Sequence, residues 1–178
     1  MEAQLRNQSR LRRLLLTVAA LAAAWPVTAA LAQPPVRVGV DAPDFALSSS
    51  AGTNLRLSEH RGQVVMINFW ATWCGPCRQE MPKLDEIFAR YAPAGFTLLG
   101  VNIDEDSARA QRLADELGVS FPLLFDNEQS VSRLYDVQAM PMTVMVDREG
   151  KVRSVHYGYR TGMEQRYLDE VRALLRED

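Results

Sequence analysis

From Val64 to Phe69 the chain reads Val-Val-Met-Ile-Asn-Phe, an apolar and β-branched run interrupted only by Asn68. A run of this kind lacks the alternation of a half-exposed strand and predicts one covered on both faces, as in a parallel sheet. The period then changes. Beyond Ala71 to Trp73, the residues Cys77, Met81, Leu84 and Phe88 recur at intervals of four, three and four, which predicts an amphipathic helix with Cys74 at its start and Cys77 one turn in, facing inward. Phe96 to Val101 predicts a second strand, Ser107 to Leu117 a helix ended by Gly118, Leu123 to Phe125 a short strand and Ser130 to Tyr135 a short helix. Met142 to Val146 and Val152 to Tyr157 flank the turn Asp147 to Gly150 as a hairpin. The last helix is expected to start on a capping box of Thr161 and Glu164 and to bury Tyr167, Leu168, Val171, Leu174 and Leu175. Near the front, Phe45 to Leu47 and Asn54 to Leu57 read as two small strands around the polar turn Ser48 to Thr53, after a Pro-containing lead-in from Gln33 to Asp41. Alternating strands and helices place the chain in the α/β class.

The first residues follow a different logic. Arg10, Arg12 and Arg13 precede an almost uncharged stretch from Leu14 to Ala32 that closes on Ala30-Leu31-Ala32. Positive, apolar and small residues in that order predict a secretory signal peptide over residues 1–32, cut after Ala32. The stretch is long enough, at ~20 residues, for an uncleaved membrane anchor to be the alternative; Pro26 in its middle favours cleavage. The Arg12-Arg13 pair fits twin-arginine export as well as an ordinary signal. Residues 33–178 are then a single domain. Because residues 1–32 carry four arginines and one glutamate, the formal charge of the remainder falls from −2 to −5. With no basic run after Ala32, neither a nucleic acid nor an anionic membrane surface is an expected partner. A monomer is the default for a domain of this size.

Two cysteines, two residues apart in Cys74-Gly75-Pro76-Cys77, are the whole thiol content. A bridge across so short a loop removes little unfolded-state entropy, so the pair points to chemistry or metal rather than stapling. A thiol is nucleophilic only as thiolate, and a helix start supplies unpaired N–H groups and a positive dipole end that favour an anion at Cys74. Pro76 suits a first helical turn, where no N–H is needed, and Gly75 lets the backbone turn tightly. Cys74 could then attack a disulfide and Cys77 resolve the mixed disulfide, the Cys74–Cys77 disulfide itself being the redox group, with no further cofactor. His60 and His156 fit no zinc spacing and are expected at the surface or in loops. Arg78 rather than His follows Cys77, so a haem attachment motif is absent.

The stretch Asn68-Phe69-Trp70-Ala71-Thr72-Trp73-Cys74-Gly75-Pro76-Cys77 resembles thioredoxins, and residues 40–178 resemble the TlpA/ResA-like branch of exported thiol-disulfide oxidoreductases. Ala42-Pro43-Asp44-Phe45, Val101-Asn102-Ile103-Asp104, Phe121-Pro122-Leu123-Leu124-Phe125-Asp126 and Pro141-Met142-Thr143 carry the same likeness. The resemblance implies a thioredoxin fold: a central mixed sheet flanked by helices, with an N-terminal β-hairpin and an extra central βα insertion. It implies that Glu80, one turn after Cys77, handles protons in place of the buried Asp of cytoplasmic thioredoxins, whose position Asn68 occupies. Without that likeness, Glu80 reads as a solvated helix charge paired with Lys83. Pro82 should bend the helix. The resemblance further implies that Met140-Pro141 is a cis-proline loop beside the cysteines, where a client segment would add as a short strand, and that Trp73 shapes the docking face. Trp70 is as readily core packing. Implied partners are disulfide-containing client proteins outside the cytoplasm, in the periplasm, and a membrane thiol-transfer protein of the DsbD/CcdA kind as electron donor.

The Gly-Pro dipeptide matches thioredoxin and points to reduction of client disulfides. A disulfide-forming oxidase and a copper-binding metallochaperone are the alternatives. Cytochrome c biogenesis is a further possibility within the branch, weakened because the residue after Pro141 is Met142 where the CcmG-like subgroup carries an acid. Peroxidase activity is disfavoured, since Ala71 stands where related peroxiredoxins place a threonine.

Overall fold

The computed structural model describes residues 36–177, and the signal segment expected over residues 1–32 lies outside them. No helix among the described residues is long and apolar enough to cross a membrane. The strands are β1 (Ala46–Ser49), β2 (Asn54–Arg56), β3 (Val64–Trp70), β4 (Phe96–Asn102), β5 (Leu123–Phe125), β6 (Met142–Val146) and β7 (Val152–Tyr157); the helices are α1 (Gly75–Tyr91), α2 (Ser107–Leu117), α3 (Ser130–Leu134) and α4 (Met163–Arg176). They build one seven-stranded sheet in the order β2-β1-β5-β4-β3-β6-β7. β3 runs parallel to β4 and antiparallel to β6, so the sheet is mixed, and the β1/β2 hairpin joins its far edge through β5. This is the thioredoxin architecture expected from the sequence.

β3 and β4 are buried along their whole length, which is why their side chains do not alternate with polar residues. Alternation survives as a division between two cores. Val64, Met66 and Trp70 pack under α1 and α4 with Met81, Leu84, Tyr167 and Val171, while Val65, Ile67 and Phe69 face Phe45, Leu57, Tyr135 and Val144 on the other side. Gly100 of β4 is required by packing: a β-carbon there would meet Phe121 Cε2 at 2.6 Å, and Phe121 is itself held edge-to-face by Phe88. Gly100→Ala is accordingly expected to cost about 1–3 kcal/mol by overpacking, read as a lower urea midpoint at unchanged m-value.

Several expectations are corrected. The first hairpin strand covers Ala46–Ser49 rather than Phe45 to Leu47, and Leu57 opens a 3-10 turn over Leu57–His60 instead of ending β2. Asp44 decides this, accepting bonds from Ser58 N at 2.9 Å and Ser58 Oγ at 3.0 Å. The lead-in is tied to the sheet, with Gly39 N bonded to Val152 O and Val152 N to Val40 O, both at 2.8 Å. α1 contains Pro82 and buries Ile87 as well as Cys77, Met81 and Leu84, with Phe88 partly buried against the same core. Thr161 caps nothing: Gly162, with φ 99°, is the N-cap of α4. The Glu164 carboxylate still reaches back, accepting from Gly162 N and from the Tyr159 hydroxyl at 2.8 Å each.

Candidate active site

The buried strand β3 ends at Trp70 and hands the chain to a short loop pinned from β4. The Asp104 carboxylate accepts from Thr72 N at 2.8 Å and Thr72 Oγ1 at 3.1 Å, and is oriented by Asn102 Nδ2 at 2.7 Å. This delivers Cys74 to the N-cap of α1 in extended conformation, φ −85° and ψ 103°, with its sulfur accepting the Cys77 N–H at 3.2 Å. Pro76 lies in the first turn, where its missing N–H leaves nothing unsatisfied. Cys74 and Cys77 form a disulfide. The two cysteines are not equivalent in their surroundings: Cys74, only 5% exposed, lines a groove, whereas Cys77 is fully buried and does not line it. An anion on Cys74 would meet the helix N-terminus and that N–H.

The groove encloses about 730 Å³. Trp73, Cys74, Gly75 and Pro76 form one wall; Met140 and the segment after α3 form the other. Trp73 is 64% exposed, an unusual position for an indole, and Trp70 is fully buried in the core. The Met140–Pro141 peptide is cis, as the resemblance implied, and the Pro141 carbonyl accepts from Gly158 N at 2.7 Å. Met142, opposite Phe69, is fully buried in the core behind the sheet and lies away from the groove. Gln129 and Asp136 are the two non-glycine residues with positive φ among the described residues, at 54° and 53°. Both line the groove, one at each end of α3. Sequence reasoning passed over both; a strained backbone at a non-glycine residue has no local signature.

Glu80 is not a solvated charge. Lys83 pairs with Glu86 instead, at 2.7 Å. Glu80 is fully buried one turn beyond Cys77, its Oε2 accepting from Asn68 Nδ2 at 2.8 Å and its Oε1 from the Tyr167 hydroxyl at 2.9 Å. Burial pushes its carboxyl up to about 7, against the opposing pull of the two hydrogen bonds. A carboxyl of that affinity beside a cysteine can both accept and return a proton near neutral pH. The Tyr167 phenol is held well above its usual range, first by burial and then by the neighbouring Glu80 charge.

His156 corrects another expectation. It is a buried residue of β7, with Nε2 2.9 Å from Glu170 Oε2, rather than a surface histidine. His60 ends the 3-10 turn, 3.3 Å from Gln63. Neither lines the groove, and among the described residues no cluster of three or more His, Cys, Asp or Glu side chains is arranged to hold a metal ion. Asn68 interrupts an apolar strand, a legible sign of a buried polar partner; Thr143 was read only as part of a family motif and Tyr167 only as core.

The family model for the AhpC/TSA family matches residues 38–155. The thiol-disulfide oxidoreductase ResA of Geobacillus kaustophilus is 36% identical over 138 residues, covering 77% of this chain and 79% of that protein, and ResA of Bacillus subtilis is 35% identical, covering 69% of each. A crystal structure of a putative thiol:disulfide interchange protein DsbE from Chlorobium tepidum superposes with a TM-score of 0.76 at 36% identity, covering 79% of this chain and 99% of that one. A disulfide at a helix start after a buried strand, a groove at its outer sulfur and likeness at this level over most of each chain converge: the chain belongs to the AhpC/TSA family, among the thiol-disulfide oxidoreductases of the ResA kind.

Proposed function

We propose that this protein is an exported protein-disulfide reductase that acts on client proteins in the periplasm, with Cys74 as nucleophile, Cys77 as resolving thiol and Glu80 as proton handler. The observation that carries the reading is the asymmetry of the disulfide: Cys74 opens on the groove at a helix N-terminus, while Cys77 is fully enclosed one turn from a buried carboxyl. In the reduced protein the Cys74 thiolate attacks one sulfur of a client disulfide, forming a mixed disulfide and releasing the other client sulfur as thiolate. Glu80 takes the Cys77 proton, the Cys77 thiolate attacks Cys74 Sγ, and the second client sulfur leaves as thiolate. Two electrons pass to the client, which takes up two protons, and the Cys74–Cys77 disulfide is regenerated as the product form. Its return to the dithiol requires a two-electron donor, for which a membrane thiol-transfer protein of the DsbD/CcdA kind is proposed; no cofactor beyond the disulfide is invoked.

The exposed Trp73 and the groove beside Met140 suit an extended client segment laid next to the cis-proline loop. Export rests on residues 1–32. The reducing direction rests on the Gly75-Pro76 dipeptide, which matches that of thioredoxin. It is tested by the equilibrium reduction potential of the full-length protein against glutathione and dithiothreitol, with Cys74→Ser as control. A value near that of thioredoxin, roughly −270 mV, is expected. A value near roughly −120 mV would reverse the direction to disulfide formation while leaving the site in place.

A further inference from the structure

Three neighbouring strands place a polar row in the apolar layer under α1 and α4. Asn68 of β3 is directly opposed by Thr143 of β6, and Thr143 by His156 of β7, so all three side chains leave the same face of the sheet. Asn68 Nδ2 donates to Thr143 Oγ1 at 3.0 Å and to Glu80 Oε2 at 2.8 Å, and Tyr167 closes from α4 onto Glu80 Oε1. Behind Tyr167, the His156 ring stands edge to face with the phenol, centroids 5.2 Å apart and planes at 64°. His156 Nε2 is anchored by Glu170 Oε2, which also accepts from Ser154 Oγ at 2.6 Å, while Glu170 Oε1 accepts from Arg166 Nε at 3.0 Å.

This arrangement assigns the two oxygens of Glu80 different tasks. An amide nitrogen only donates, so Oε2 remains an acceptor whether or not Glu80 is protonated. A bound proton therefore sits on Oε1, and the Tyr167 hydroxyl, donor to the carboxylate, turns to become acceptor from the acid. A phenol can do both, provided its ring is held at the right place. We propose that Tyr167 and His156 are positioning residues for Glu80: the edge-to-face packing of the His156 ring holds the Tyr167 ring so that its hydroxyl meets Oε1, and the pair sets the pH at which Glu80 gains and loses its proton. The catalytic consequence rests on the role given to Glu80 above; the effect on its proton does not.

The groups that face Glu80 are few. Asn68 and Thr143 are neutral, Cys77 is in the disulfide, and α4 contributes Tyr167 with Glu170 beyond it. The turn before α4 contributes Tyr159, whose hydroxyl is committed to Glu164, with Lys83 on the solvent side of that carboxylate. The Tyr167 bond pulls the Glu80 pKa down against burial, so loosening it should raise the titration midpoint.

The test is the carboxyl carbon-13 titration of Glu80 in the oxidised full-length protein, where neither cysteine titrates. Tyr167→Phe is expected to move the midpoint up by about one pH unit, the worth of one hydrogen bond to a charged group. His156→Gln should move it up by about half of that. His156→Phe, which keeps a ring of similar size against Tyr167 and guards against a mere loss of packing, should stay near the parent value. In the Tyr167→Phe background His156→Gln should add nothing. The proposal is overturned if His156→Gln leaves the midpoint in place, if His156→Phe shifts it as far as His156→Gln, or if the two shifts simply add. Because the titration is read in the resting protein, these outcomes are separate from whether Glu80 acts in exchange, which the rate profile of Glu80→Gln decides.

Discussion

With Cys77 replaced by serine, disulfide exchange is expected to stop at a covalent adduct through Cys74. The reason is geometric: Cys74 is the sulfur at the groove, and the only other thiol, enclosed behind it, is the one able to expel the client. Turnover should fall to background while client protein accumulates on the chain in a form that dithiothreitol releases, read by electrophoresis with and without reductant. Cys74→Ser should lose both turnover and adduct. An adduct that forms on Cys74→Ser but not on Cys77→Ser would exchange the roles given to the two sulfurs.

Glu80→Gln carries the second large effect, and it separates catalysis from stability. Client reduction at pH 7 is expected to slow by roughly 10²-fold, the usual worth of a placed proton acceptor, and the dependence of rate on pH around 7 should flatten. Stability should move the other way. Burial holds the Glu80 carboxyl at about 7 in the native protein, above ~4.3 in an unfolded chain. A raised carboxyl stabilises the fold fully at pH below the unfolded value, and that contribution is lost as pH climbs through the folded value. The parent protein should therefore lose up to about 3 kcal/mol between pH 4 and pH 8 from this group, and Glu80→Gln should not. At pH 8 the variant is expected to be the more stable protein by about 1–2 kcal/mol. The gain is reduced because one edge of the new amide must turn its N–H groups toward Asn68 or Tyr167. Urea midpoints at pH 5 and pH 8 check this; a variant less stable than the parent at both would show that Glu80 stabilises the fold as a carboxylate.

Legibility varied by element for identifiable reasons. β5, α2 and the β6/β7 hairpin have the bounds their periodicity predicts, because each is delimited locally: Gly118 at φ 67° ends α2, and the Asp147 to Gly150 turn joins β6 to β7. Thr161 was misleading because the chain enters α4 through Gly162, at φ 99° and with no side-chain cap. His156 was misplaced for another reason. Alternation puts it on a strand but does not say which face α4 covers, and Glu170 lies 14 residues away.

The same division runs through the active site. Residues near in sequence determined that Cys74 and Cys77 bracket the first turn of a helix after a buried strand, since strand, turn and helix start are all encoded in fewer than ~15 consecutive side chains. The resemblance carried by those residues singled out Glu80 and Pro141. Only the tertiary structure decided that Glu80 is inside, because its environment is made by Asn68, 12 residues away, and Tyr167, 87 residues away. A carboxyl on a helix has an ordinary proton affinity in water. Closing α4 over β3 and β6 removes the water, leaves two donors, and so turns an ordinary glutamate into a group that titrates near neutral pH.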